Sequence, residues 1–350
     1  MNTIQEIITK LQKLTKDDLE KVLKFLSNLN VDTNNIQDIS ITCCPHCGSI
    51  SIKKNGHTLN NQRFMCNDCH HSFSVKTNTF LYHSKINKDK WLNFIDFELS
   101  HMSLRDEAHY LKLSATTCFR MRHKLYSALS EYVNTNVVLS GSIELDAAYR
   151  KINLKGTRPE NMPRISKKRG KTSAYSGISH HKICLASALD EHDNMIIKVV
   201  GLGSESFEKY RQIFKYFKDV NYLITDAKTC MPQIANELGA TLDKIDKKPT
   251  VKRYTTDNGN SLSSMNQLHS EITALITKTH GIGTKYIQGY LDFVTIRKKI
   301  NYSYKKDDRP EALYNLIKDV KAWTGKQISN KEMPISLKEA YYEYRYGIFR

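Results

Sequence analysis

Two C-x2-C pairs near the start of the chain constrain it most. They are Cys44-Pro45-His46-Cys47 and Cys66-Asn67-Asp68-Cys69, with eighteen residues between Cys47 and Cys66. Each pair sets two thiolates on one side of a tight turn, and two facing turns complete a tetrahedral S4 site suited to zinc. Cys44, Cys47, Cys66 and Cys69 are therefore the expected ligands of a structural zinc ribbon. Cys43 is an alternative to Cys44, which has the usual C-P-x-C turn. His46, His57, His70 and His71 lie nearby, but four cysteines already fill the tetrahedron. Between the knuckles, residues 49–57 alternate apolar and polar and reach Asn55-Gly56, a hairpin-turn signal.

The charge balance points to a polyanionic partner. The 350 residues include 53 Lys and Arg against 36 Asp and Glu, a formal net charge of +17. An excess of that size is the footprint of nucleic-acid binding. No run approaches the ~18–20 apolar residues of a membrane span. The first apolar residues are interrupted by Gln5, Glu6, Lys10 and Lys13, unlike a secretory signal. The expectation is a cytoplasmic, nucleoid-associated, bacterial-type protein with no membrane partner. In a reducing compartment the remaining cysteines, among them Cys118, Cys184 and Cys230, read as small core residues.

Periodicity divides the rest. Residues 1–40 read as a helical arm with apolar residues at helical spacing, and residues 41–80 hold the ribbon. Residues 85–135 read as three helices. Ser103 caps the second, with Asp106 and Glu107 in its first turn, and Ser114 opens the third. Two short helices across a tight turn, the second carrying Thr116, Thr117, Arg120 and Lys124, form a helix-turn-helix pattern. Those four residues would then face a DNA groove. A plain helical bundle is the alternative.

From residue 140 the period shortens. Strands are expected at 142–146, 183–189 and 195–200, a helix at 205–217, a strand at 222–226, and helices at 230–238 and 265–279. Such an order suggests a mixed α/β sheet with helices on its faces. Residues 306–350 read as a helical extension holding Tyr341, Tyr342, Tyr344 and Tyr346. Asp146 and Asp226 each end an apolar strand. If those strands are adjacent and parallel, both carboxylates leave the same sheet edge, where Mg2+ or Mn2+ could bind. Helix-capping roles for the two are the alternative. The run 150–171 is strongly basic and includes Lys167, Lys168 and Arg169; it is either a solvated loop or a contact for a phosphate backbone.

Taken together, these blocks resemble the insertion-sequence transposases that join a zinc ribbon to an RNase H-like, DDE-type core of the ISXO kind. The resemblance rests on the ribbon running into Cys69-His70-His71-Ser72-Phe73-Ser74, on the segment 103–129, and on Ile143-Glu144-Leu145-Asp146-Ala147-Ala148-Tyr149. Its last block is Met265-Asn266-Gln267-Leu268-His269-Ser270, followed by residues 283–291. The match covers about residues 40–300. It implies an α+β multidomain protein: zinc ribbon and helix-turn-helix, then an RNase H-like mixed α/β core over 140–305. It also implies Mg2+- or Mn2+-dependent cleavage at the terminal inverted repeats of an insertion sequence and strand transfer into target DNA. The partner is double-stranded DNA, and the synaptic complex is a homo-oligomer. Asp146 and Asp226 take the first two metal-binding positions. The third falls on His269 by the family's pattern, on Glu271 by chemistry with Lys278 seven residues on, or on Asn266. A zinc-ribbon DNA-binding regulator and a catalytically decayed transposase are the alternatives.

Overall fold

The computed structural model describes residues 41–58, 61–157, 177–246, 255–338 and 340–341. The helical arm expected before residue 41, the basic triplet Lys167, Lys168 and Arg169, and Tyr342, Tyr344 and Tyr346 lie outside the described residues. The chain divides into two compact units, Met1–Thr77 and Asn78–Arg350.

The first unit is built on strands β1 (Ile52–Thr58), β2 (Asn61–Cys66) and β3 (Ser72–Ser74), which pair antiparallel in that order. Its apolar centre is small: Cys44, Cys66 and Phe73, flanked by Ile41, Ile52, Phe64 and Cys69. Asn55-Gly56 is not the hairpin turn expected from the sequence. β1 runs through it, and the register slips by one residue between Lys54 and His57. Gly56 sits at φ +68. The left-handed position that a glycine allows is here a β-bulge.

In the second unit, helices α1 (Lys88–Leu99), α2 (Leu104–Leu111) and α3 (Ala115–Asn136) start behind Asn87, Ser103 and Ser114. Each of these side chains accepts from a backbone N–H of the first turn. Lys112, at φ +54, ends α2 in the left-handed region, so α3 follows after a three-residue turn. A buried ion network ties the three helices together. The Arg122 guanidinium donates to Glu98 at 2.5 Å and to Glu107 at 2.9 Å, and the Tyr126 hydroxyl donates to Glu98 at 2.8 Å.

The sheet comprises β4 (Leu139–Lys151), β5 (Lys182–Asp190), β6 (Met195–Leu202), β7 (Phe217–Asp226) and β8 (Thr241–Ile245), in the order β6-β5-β4-β7-β8. β5 is antiparallel to β4 and β6, whereas β4, β7 and β8 run parallel. Three expectations need correction. The segment 205–217 is not one helix: it is the short α4 (Phe207–Arg211) and a single 3-10 turn, and β7 already begins at Phe217. β8 is a strand where none is expected from the sequence. β4 does not end at Asp146 but continues to Lys151, because β5 pairs with it to the end.

Helix α5 (Met231–Leu238) connects β7 to β8 and packs on both. α6 (Ser263–Lys278) lies on β4 and β5, and α7 (Ile287–Ser303) packs against β6 and α3. α8 (Arg309–Ile317) packs on α1, and α9 (Gly325–Ser329) on α3. One continuous apolar core, from Trp91 and Leu125 through Leu145 and Ile224 to Phe293, joins helices and sheet.

Candidate functional site

Two groups of side chains carry chemistry. In the first unit the four cysteine sulfurs lie within 4.8 Å of one another, with Cys44 to Cys69 and Cys47 to Cys66 both at 3.6 Å. A zinc–sulfur bond of about 2.3 Å in a tetrahedron requires sulfurs roughly 3.8 Å apart, so the quartet fits. Backbone geometry produces it. Gly48 donates its N–H to Cys44 O, and His70 donates to Cys66 O, closing two matching knuckles. Gly48 at φ +76 and His70 at φ +56 both turn left-handed after the second cysteine of their pair. The His46 and Cys69 amides point at the Cys44 and Cys66 sulfurs. His46 and His71 stack on each other at 4.8 Å rather than on the sulfurs.

The second group lies where β4 and β7 part. Their parallel ladder ends at Leu145 opposite Thr225, so Asp146 and Asp226 are the next residues of neighbouring parallel strands. One face of β4 also fixes helix α6, because alternate residues point the same way. Glu144 accepts the Met265 N–H at 3.1 Å in the helix's first turn. Arg150 donates to His269 O and to Thr273 Oγ1. Between them, Asp146 Oδ2 stands 3.7 Å from His269 Nδ1. The other ring nitrogen of His269 is 3.0 Å from the hydroxyl of Ser187, a fully buried residue of β5. Burial and the Arg150 charge push the imidazole down to about 4, so it is neutral near pH 7 and keeps a lone pair.

The other two candidates for the third position stand apart. Glu271 turns toward α7 and faces Arg297 at 3.8 Å. Asn266 is exposed, as is Lys278. A helix directs residues 269 and 271 to different sides, which separates them here.

A residue not singled out from the sequence joins the cluster. Glu205 lies on the segment after β6, with its N–H donated to the Tyr149 hydroxyl at 3.3 Å. Its side chain is 6 % exposed, and its Oε1 takes a 2.8 Å ion pair from Lys228. Lys228 Nζ is also 3.9 Å from Asp226 Oδ2. Burial pushes the Asp146 carboxyl up to about 6, with Asp226 and Glu205 adding to the rise and Lys228 opposing it. The readable signal for Glu205 is an acid shortly after an apolar strand, and the helical spacing of residues 205–217 masks it. Among the described residues the cysteine quartet is the group already close enough to hold a metal ion, and the carboxylates and neutral imidazole here match a hard divalent cation in donor type.

The residues expected to meet DNA are split. Thr116 and Arg120 are exposed and Thr117 is half-buried on α3. Lys124 turns inward: its amine donates to Tyr82 O at 2.5 Å and lies 5.8 Å from the centre of the Phe80 ring. Burial lowers it to about 8. Among the described residues, no helix is long and apolar enough to cross a membrane.

No protein-family model matches the chain. Over 135 residues it is 30% identical to an uncharacterized protein in transposable element ISH50 of Halobacterium salinarum. That match covers 38% of this chain and 44% of the relative, so the chain spans less than half of the protein it matches. Among solved structures, a pre-cleavage Mos1 transpososome aligns with 69% of this chain and 82% of its own, at 11% identity and a TM-score of 0.24. The Drosophila P element transposase strand transfer complex aligns with 69% and 67%, at 11% identity and a TM-score of 0.26. At such scores the functional reading rests on the residues.

Proposed function

We propose that this chain is a DDE-type DNA transposase of an insertion sequence, with residues 140–305 as its RNase H-like catalytic core. The observation that carries the reading is the pairing of Asp146 and Asp226 on adjacent parallel strands with His269 3.7 Å from Asp146. The partial match to a transposable-element protein supports the same reading.

Asp146 and Asp226 would hold Mg2+ or Mn2+, and His269 is the third ligand the geometry favours over Glu271 and Asn266. When bound, the metals supply activation of water or a 3′-hydroxyl and stabilisation of the leaving oxygen at phosphorus. The protein's part is positioning. Glu144 and Arg150 hold α6 so that His269 faces Asp146, and Ser187 orients the ring. Glu271 pairs with Arg297 and serves the helix packing. Zinc in the ribbon is structural, since four thiolates leave no open position. Thr116, Thr117 and Arg120 on α3 would contact the terminal inverted repeats of double-stranded DNA, as would the basic triplet Lys167, Lys168 and Arg169. Joining two ends requires a homo-oligomeric synaptic complex.

The test is metal-dependent cleavage and joining of DNA carrying the inverted repeats that flank the gene. Asp146→Ala, Asp226→Ala and His269→Ala should each abolish both steps, while Glu271→Ala should retain them. Zinc-dependent DNA binding without cleavage by the wild type would move the assignment to a regulator or a decayed enzyme.

A further inference from the structure

The ion pair between Glu205 and Lys228 joins a buried acid with one unpaired oxygen, as Glu107 also has, to a cation that is far more exposed than Arg122. A carboxylate so far withdrawn from solvent ordinarily satisfies both oxygens. Glu205 does not. Oε1 meets the Lys228 amine at 2.8 Å, while Oε2 is buried without a hydrogen-bond partner among the described residues. Its lysine is the freer member of the pair, with 42 % of the side chain exposed. That amine also reaches toward Asp226, at 3.9 Å. The Lys228 amine thus stands between two carboxylates, those of Glu205 and Asp226. The backbone holds the arrangement in place. Tyr149, three residues past Asp146, accepts the Glu205 N–H, and Lys228 N–H closes a tight turn on Asp226 O at 2.8 Å.

Resting on the reading of Asp146 and Asp226 as a divalent-cation site, we propose that Glu205 is a further carboxylate ligand of that site. Lys228 is its resident counter-ion, displaced when the metal enters. The half-exposed lysine stem lets the amine swing into solvent, which frees Glu205 Oε1 and removes a positive charge from the cation's path. Oε2, which has no hydrogen bond to give up, can bind as well. Two opposite effects follow, and the loss on removing Glu205 is the one that separates a ligand from a structural partner. Removing Glu205 weakens metal binding, because ligand charge sets the affinity of oxygen sites. Removing the Lys228 charge strengthens it, because the metal no longer competes with an ammonium.

The experiment is titration of Mn2+ into the full chain, saturated with zinc at the ribbon, with free Mn2+ counted by electron paramagnetic resonance. Wild type is compared with Asp146→Asn, Glu205→Gln and Lys228→Met, and circular dichroism checks that each variant is folded. Glu205→Gln should weaken Mn2+ binding roughly tenfold or more, and Lys228→Met should tighten it several-fold. Wild-type affinity in Glu205→Gln, or no tightening in Lys228→Met, would overturn the proposal while a loss in Asp146→Asn kept the two-aspartate site. If Glu205→Gln does not fold, the isolated charge change is read from Glu205→Gln combined with Lys228→Met, where affinity equal to that of Lys228→Met alone overturns the proposal. Unchanged binding in Asp146→Asn would remove the underlying site and the proposal with it.

Discussion

Substituting Asp146 by Asn should stabilise the metal-free protein, and the size of the effect follows from its surroundings. Asp146 has a carboxyl pushed up to about 6 in the folded chain, against 3.8 unperturbed, with burial the main cause and the neighbouring acids adding to it. For an acid raised on folding the sign is unfavourable. Above about pH 6 the folded state holds an anion that the unfolded chain holds at lower cost. As pH falls through the folded value toward the unfolded one, the penalty disappears. The gap between the two corresponds to about 3 kcal/mol at pH 7, an upper limit because the side chain is 23 % exposed. By pH 4 under about 1 kcal/mol of it remains. The asparagine side chain keeps the shape and drops the charge, so D146N should gain up to that amount at pH 7 and under about 1 kcal/mol at pH 4. Urea unfolding without Mg2+ or Mn2+ measures this, followed by tryptophan fluorescence. Both tryptophans, Trp91 and Trp323, belong to the unit 78–350, so the ribbon does not contribute to the signal. A D146N protein no more stable than wild type at pH 7, or a gain equal at both pH values, would refute the buried, crowded Asp146 charge on which the site is argued.

Three further outcomes follow from other parts of the structure. Chelating zinc, or Cys44→Ala, should unfold residues 41–77 and leave the second unit folded, because the ribbon's own apolar centre is too small to hold it; circular dichroism with and without chelator reads this. Arg122→Met should cost roughly 3–5 kcal/mol in thermal or urea unfolding, since it strands the buried Glu98 and Glu107 carboxylates. Arg120→Ala should weaken DNA binding and flatten its salt dependence, whereas Lys124→Ala should lower stability more than affinity, because its amine is held on the Tyr82 carbonyl.

Periodicity and caps made much of this fold readable. Ser103 and Ser114 announce α2 and α3, and the two C-x2-C pairs announce the knuckles, because each signal is local. What failed was set by distant partners. The length of β4 past Asp146 depends on pairing with β5, which lies beyond a long basic segment, and no local propensity records that. Phe207, Tyr210, Ile213, Phe214 and Phe217 have helical spacing, yet Phe217 opens β7 through parallel pairing with β4 at Leu139. Asn55-Gly56 supplies left-handed backbone as expected, but the neighbouring strand turns it into a bulge. At the site, both aspartates are legible as acids ending apolar runs. Glu205 is not, since its relevance depends on Lys228 and Tyr149, neither of which is near it in sequence. Choosing His269 over Glu271 requires the helix's rotation on the sheet, which Glu144 and Arg150 set.

Two of the buried charge clusters among the described residues of the second unit show why only one is read as a reaction site. In the first, the Arg122 guanidinium is 8 % exposed and bonded to two carboxylates, and a tyrosine hydroxyl serves a third oxygen. Such a cation cannot leave without stranding both acids, so the network locks α1, α2 and α3 into one arrangement. In the second, the cation seen beside Glu205 and Asp226 is a lysine with much of its side chain in water. Aspartates on two strands, a glutamate on a loop and a neutral histidine on a helix meet there. Burial raises an acid in each cluster, Glu107 to about 8 and Asp146 to about 6, so the exposed lysine rather than the raised carboxyl sets the second apart. The arrangement persists because the sheet and α6 impose it, and it suits a site that a divalent cation completes.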